Sequence, residues 1–143
     1  MNLQSISDSL PNGFHDAHLR SVSIDYLKSE ARMLLNIWVG DLESKEFGIR
    51  EAERLAELTI SDLVYWVMEA PGQDAVASPG KELWIDMGQL ETMESQPKIA
   101  LPPTPSDGFA HWIFVNEWNA FIYFCGKKAE IKWQDQKVGF EKI

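Results

Sequence analysis

Apolar and polar residues alternate over two stretches in the first third of the chain, residues 18–28 and 32–39. A period of two is typical of a half-buried strand, because successive side chains of a strand point to opposite faces of the sheet. In the first stretch Val22, Ile24 and Tyr26 share one face. A short turn separates the two stretches, so the pattern predicts a β-hairpin.

The last third of the chain carries the strongest β pattern. Residues 109–115 and 120–124 are apolar runs, and residues 116–119 between them are typical of a hairpin loop. Because both faces of the run 120–124 are apolar, we predict that it lies centrally in the sheet and is covered on both sides. A turn at residues 126–128 and a further strand around residues 131–133 follow.

The middle of the chain has weaker signals. Residues 41–57 are charged and have poor apolar spacing for an amphipathic helix, which predicts a loop or short helix running into a strand near residues 57–61. The apolar run 63–68 and the stretch 82–87 are predicted to be short strands. Residues 95–108 contain four prolines, which exclude regular structure, and a loop of this length is expected to be functional or mobile.

These patterns predict a single domain over residues 1–143 with a mainly β fold. We expect an antiparallel sandwich or a strongly curved sheet built of hairpins, with at most short helices. A turn at residues 11–13 is expected to precede the ordered body. A chain of 143 residues can bury a core without a disulfide or a structural metal. The predicted core side chains are Ile24, Leu35, Ile37, Trp112, Phe114 and Ile122.

The chain is acidic, with a formal net charge of −9 that is unevenly distributed. Residues 1–125 carry 8 Lys and Arg against 19 Asp and Glu, which gives −11, and residues 126–143 carry 5 against 3, which gives +2. An acidic surface repels phosphate backbones, so the charge argues against a nucleic-acid partner. The same charge would steer a protein with a basic surface toward the chain, although moderate acidity also serves solubility alone.

The sequence predicts a cytoplasmic protein without membrane contact and without a cofactor. Its first residues lack the basic and apolar regions of a signal peptide, and no apolar run approaches the roughly 18 residues of a membrane span. The single cysteine, Cys125, lies in an apolar run without a local base that would activate a thiol. We interpret Cys125 as a small buried hydrophobic residue.

His15, Asp16 and His18 form the most reactive-looking cluster in the sequence. They could hold a metal ion or supply a general base, which would make the protein a small metal-dependent hydrolase. However, residues three apart on a strand point to opposite faces, so the two histidines are expected to diverge. The simpler interpretation is that His15 and Asp16 hydrogen-bond backbone groups where the strand begins. On this interpretation no catalytic residue and no metal ligand is assigned.

Two features could contact a protein partner. Trp118 stands with Glu117 and Asn119 in the predicted hairpin loop, where it either folds back onto the core or presents an aromatic anchor. Asp41 and Glu43 open the charged segment, which is either a solvated face or a surface that attracts a basic partner. Because the chain holds six tryptophans, a small-ligand site in a Trp-rich cavity is a third alternative.

The segment Asn12-Gly13-Phe14-His15-Asp16-Ala17-His18-Leu19, with the alternating strand after it, resembles small bacterial families in which a Phe-His-Asp-Ala or Phe-His-Asp-Ser segment leads into a β-hairpin. Some of these families look like immunity proteins of bacterial toxin systems. The resemblance implies a compact β-rich domain without an established catalytic site, and Phe14, His15 and Asp16 are the positions that match the motif. We therefore expect a non-enzymatic, immunity-like protein-interaction module of a bacterial cytoplasm.

Overall fold

The computed structural model describes residues 2–41, 43–75 and 79–134. Within these residues the chain forms eight strands and two short α-helices. The helices are α1 (Leu3–Asp8) and α2 (Phe47–Arg50). The strands are β1 (Ala17–Asp25), β2 (Glu30–Trp38), β3 (Glu53–Ser61), β4 (Tyr65–Met68), β5 (Leu83–Gln89), β6 (Phe109–Val115), β7 (Ala120–Gly126) and β8 (Lys128–Trp133). Neither helix in this part of the chain is long and apolar enough to cross a membrane.

All eight strands belong to one antiparallel sheet in the order β4-β7-β6-β5-β1-β2-β3-β8, which is not closed into a barrel. The chain runs directly from β3 into β4 and from β7 into β8, although β4 and β8 lie at opposite ends of this order. The sheet must therefore curve strongly, so that its two ends approach each other at this corner. Two hydrogen bonds hold the corner, from Val64 N to Cys125 O at 2.7 Å and from Lys127 N to Ser61 O at 3.1 Å. The predicted mainly β fold, with at most short helices, is confirmed.

Both predicted hairpins are present. β1 pairs with β2, with a β-bulge between Leu19 and Ser21, and β6 pairs with β7 over its full length. The apolar run 63–68 and the stretch 82–87 correspond to β4 and β5. β7 lies between β4 and β6 and is buried on both faces, as its apolar sequence predicts.

The main core lies on the inner face of the curved sheet, and α1 covers part of it. Leu3 and Ile6 of α1 are buried in this core, and α1 packs against β8. The helix is capped by Asn2, whose side chain accepts a hydrogen bond from Ser5 N at 2.8 Å. The expectation that the ordered body begins only after the turn at residues 11–13 is therefore wrong. A helix of six residues is too short to leave a clear periodic signal.

Half of the predicted core is confirmed on the first hairpin and on β7. Leu35, Ile37 and Ile122 are buried. Ile24 is only half-buried, and Tyr26, which shares its predicted face, is 90 % exposed. β1 ends at Asp25, so Tyr26 lies in the turn after it, and the described pairing of β5 with Ala17–Leu19 does not extend as far as Ile24.

The predicted burial of Trp112 and Phe114 on β6 is wrong. Both are half-buried on the outer face, whereas the alternate residues His111, Ile113 and Val115 face the core and are buried. Both faces of β6 are apolar, so the alternation in its sequence does not reveal which face is turned inward.

A second, smaller core lies on the outer face of β4, β6 and β7, where Tyr65, Tyr123 and Cys125 are buried. The proline-rich segment 95–108 contributes to it, because Leu101 packs against this cluster. The loop therefore has a structural role in covering the outer face of the sheet. Cys125 is buried as predicted, and burial raises the pKa of its thiol.

Candidate functional site

A cleft of about 920 Å³ opens on the outer side of the sheet, where β1 and β3 begin and β2 ends. Carboxylates and aromatic rings dominate its described lining, which contains no lysine or arginine. We call it the acidic cleft and define it by eight residues: Asp16, His18, Trp38, Asp41, Glu43, Glu51, Glu53 and Trp84.

Strand pairing places the rings of the acidic cleft. His18 of β1 lies opposite Trp84 of β5, and Trp38 at the end of β2 lies opposite Glu53 at the start of β3. The indole Nε1 of Trp38 donates a hydrogen bond to the carbonyl of Arg50 at 3.0 Å, which fixes the ring beside α2. The wall is therefore built from strands that are distant in sequence.

The segment between β2 and β3 carries the other carboxylates. Its α2 and the following strand agree with the expected short helix running into a strand, although the strand already begins at Glu53. Gly40 lies so close to Arg50 that a Cβ atom at this position would stand 1.9 Å from the carbonyl oxygen of Arg50. Next to it, Asp41 Oδ1 accepts a hydrogen bond from Glu43 N at 2.9 Å. Both partner-binding candidates of this segment, Asp41 and Glu43, thus face one cleft.

The electrostatic potential of the acidic cleft is negative, because five carboxylates line it without a neighbouring ammonium or guanidinium among the described lining residues. Besides Asp41, two carboxylates have side-chain partners inside the cleft. Asp16 Oδ1 accepts a hydrogen bond from Trp84 Nε1 at 2.8 Å, and Glu53 Oε2 lies 3.3 Å from His18 Nδ1. That nitrogen is buried and makes no hydrogen bond of good geometry with any of the described residues.

Asp16 and His18 both line the acidic cleft, but His15 is not part of its lining, so the three residues do not meet as one cluster. His15 Nδ1 lies 2.5 Å from Asp86 Oδ1 of β5, whereas the side chains of Asp16 and His18 reach Trp84 and Glu53. The interpretation that His15 and Asp16 bond backbone groups through their side chains is wrong, because their partners are side chains. In the part of the chain that the structure describes, no three potential ligands lie close enough together to hold a metal ion.

The matched motif residues have a structural explanation. Phe14 is 2 % exposed and packs in the main core, while His15 and Asp16 tie the segment before β1 to β5. Asp16 adopts the left-handed conformation with φ of 57°, which aspartate tolerates better than most residues. Trp84 and Asp86 are about 70 positions away in sequence, so no local pattern indicates these contacts.

The predicted contact loop does not join the acidic cleft as one surface. The carboxylate of Glu117 accepts a hydrogen bond from Trp84 N at 3.0 and 3.1 Å, which holds the loop to β5. Asn119 is exposed and ends a 3-10 turn in the left-handed conformation. Trp118 is half-buried, packs against the main core and lines a different depression.

That depression is an apolar groove of about 430 Å³. We call it the apolar groove and define it by its apolar lining: Leu19, Val22, Ile24, Trp66, Met68, Leu83, Trp118 and Ile122. The acidic cleft and the apolar groove each contain two tryptophans. Neither is evident from the sequence, because each assembles residues from several strands whose order in the sheet is not encoded locally.

No family model, curated protein or solved structure matches the chain.

Proposed function

We propose that the protein is a non-enzymatic interaction module that binds a protein partner with a basic surface through the acidic cleft. The observation that carries this proposal is the set of five carboxylates around Trp38 and Trp84, in a lining without lysine or arginine among its described residues. Asp41 and Glu43 belong to this set, and both are exposed.

The chemistry of the cleft suits the side chains of arginine and lysine. A cation entering the cleft gains attraction from several carboxylates and can lie over an indole face, and tryptophan is the best ring for such a contact. Trp84 is 47 % exposed, so its ring is open to a partner. Concentrated negative charge also raises the rate of encounter with a basic protein.

An immunity-like role in a bacterial cytoplasm is consistent with this chemistry. The resemblance of residues 12–19 to immunity-protein families implies a protein that works by covering a partner rather than by catalysis. A basic toxin surface is the kind of partner that an acidic cleft would cover. The alternative of a metal-dependent hydrolase lacks a supporting observation, since His15, Asp16 and His18 reach three different side chains.

Affinity capture with matched variants tests the proposal. The double variant Asp41→Asn/Glu43→Gln removes two cleft charges while keeping side-chain size, and Glu91→Gln/Glu94→Gln removes two exposed charges elsewhere. A partner captured from a bacterial lysate by the unmodified protein should be retained by the Glu91/Glu94 variant. It should be lost from the Asp41/Glu43 variant, and its binding should weaken with added salt.

Equal capture by both double variants would contradict the proposal, because the partner would then bind elsewhere. Melting temperatures of the variants, measured in parallel, show whether loss of capture reflects loss of folding.

A further inference from the structure

The apolar groove lies between two strand edges that pair with no other strand among the described residues. β4 is the outermost strand at one end of the sheet, and within residues 2–41, 43–75 and 79–134 it pairs only with β7. β1 pairs with β2 as far as Asp25 but with β5 only over Ala17–Leu19, so in the described part of the chain its second half has a free edge on the β5 side. Residues from both free edges line the groove, among them Val22 and Met68.

The backbone of β4 offers hydrogen-bonding groups on its free side. Glu69 N donates to Phe121 O at 3.0 Å, and hydrogen-bonded pairs alternate along an antiparallel ladder. Counting back from Glu69 in steps of two, the register of β4 assigns the bonds with β7 to Val67 and Tyr65, and the bond from Val64 N to Cys125 O lies at the bend before the strand begins. The N–H and C=O groups of Trp66 and Met68 therefore point away from β7, toward any strand added at this edge.

Several exposed apolar side chains lie on or next to these two strands. Tyr26 and Leu27, in the turn after β1, are 90 % and 100 % exposed, and Val64 and Met68 are 40 % and 52 % exposed. Two hydrogen bonds between Ser29 and Leu63 hold this turn beside the start of β4. Of these four residues Met68 lines the groove. Exposed apolar residues grouped on one surface are typical of an interaction site.

We propose that the apolar groove binds an extended segment of a partner polypeptide, which adds as a strand to the free edge of β4. Alternate apolar side chains of that segment fill the groove between Val22 and Met68, and Trp118 contacts them at its floor. The free part of β1 and the whole of β4 accommodate a strand of about four to six residues, which is the usual length of a β-strand. Addition of a strand to an open edge is an established mode of peptide recognition.

A partner fits this edge better than a second copy of the chain does. Each copy carries a net charge of −9, so pairing two copies edge to edge brings like charges together. The groove itself contains one charged residue, Arg20, which lies 3.3 Å from Glu82. The proposal goes beyond the basic partner of the acidic cleft and does not depend on it.

Selection from a phage-displayed library of random twelve-residue peptides tests the inference. The protein is used as the bait. Peptides that also bind its Met68→Glu variant are discarded, because they bind elsewhere on the surface. Met68 is 52 % exposed, so the charge enters the groove without disrupting the core. The control variant is Phe47→Glu, because Phe47 is a 70 % exposed residue of α2 that does not line the groove.

The selected peptides should carry apolar residues at alternate positions. Their Kd, followed by tryptophan fluorescence, should rise about tenfold or more with Met68→Glu and stay within about twofold with Phe47→Glu. N-methylation of alternate peptide nitrogens should abolish binding in at least one of the two registers, because it removes the donors that pair with β4.

Three results would overturn the proposal. The first is that the selection yields no peptide whose binding depends on Met68. The second is that the selected peptides carry apolar residues at helical spacing and still bind when their alternate nitrogens are methylated in either register. The third is a dimer in sedimentation that Met68→Glu disperses, since a second copy would then occupy the edge. The Asp41/Glu43 variant should bind the selected peptides normally, which separates failure here from failure of the acidic-cleft proposal.

Discussion

Replacing His111 with phenylalanine should remove a large part of the acid sensitivity of the fold. His111 is 2 % exposed, its ring stacks on Phe124 at 5.8 Å, and its buried Nδ1 has no hydrogen-bond partner in the part of the chain that the structure describes. Burial lowers the pKa of His111 from 6.5 to about 4, and a hydrogen bond with the backbone of Gly88 offsets part of this effect. The folded protein therefore holds the imidazole in its neutral form well below the pH at which the unfolded chain protonates it.

The sign and size of the effect follow from this pKa. As the pH falls below about 6.5, the imidazole is protonated in the unfolded state but stays neutral in the folded state, so the free energy of unfolding decreases. The difference between 6.5 and about 4 corresponds to a loss of about 3 kcal/mol in the free energy of unfolding, complete once the pH falls below about 4.

Urea unfolding followed by circular dichroism at pH 7, 5.5 and 4 measures this loss. Protonation of carboxylates also changes stability in this range, so the informative quantity is the difference between the parent protein and His111→Phe. The parent should lose about 3 kcal/mol more than the variant between pH 7 and 4. Parallel pH profiles of the two proteins would refute the assignment of a buried neutral His111.

Three further substitutions test the main core, the segment between β2 and β3, and the apolar groove. Leu35→Ala should lower the free energy of unfolding by about 2–5 kcal/mol in urea titrations, because Leu35 is fully buried; a loss below about 1 kcal/mol would show that β2 faces the other way. Gly40→Ala should lower the melting temperature and weaken capture of the basic partner, because the added methyl meets the carbonyl of Arg50; unchanged values would contradict this close approach. Trp118→Ala should lower the free energy of unfolding by about 1–3 kcal/mol, because Trp118 packs against the main core. It should also weaken the binding of peptides selected on the apolar groove. A variant of unchanged stability would show that Trp118 does not pack there.

The hairpins could be predicted from the sequence because the alternation that specifies them is local. Residues 32–39 place Leu35 and Ile37 on the buried face, as their period of two requires. The same reasoning gave the wrong face for β6, where apolar residues occupy both sides and only the neighbouring strands decide which is turned inward. Burial of Ile24 also depends on how far β5 extends along β1, which no local pattern records.

The acidic cleft could be predicted only in part. Asp41 and Glu43 were recognisable as members of a charged segment, but Trp38 and Trp84 join them through the order of strands in the sheet. The contact between Asp16 and Trp84 spans 68 positions, and that between His18 and Glu53 spans 35. Sequence periodicity extends over one element at a time, so contacts of this range follow only from the assembled sheet.

The most direct test of a basic partner in the acidic cleft is the ¹H–¹⁵N spectrum of the indole N–H groups, of which the chain has six. The captured partner is added to the labelled protein, and the signals are assigned by single tryptophan-to-phenylalanine substitutions. We predict that the signals of Trp38 and Trp84 shift on binding, and that the shifts fade as salt is added. Shifts confined to other tryptophans, with Trp38 and Trp84 unchanged, would contradict the proposal that the acidic cleft binds the partner.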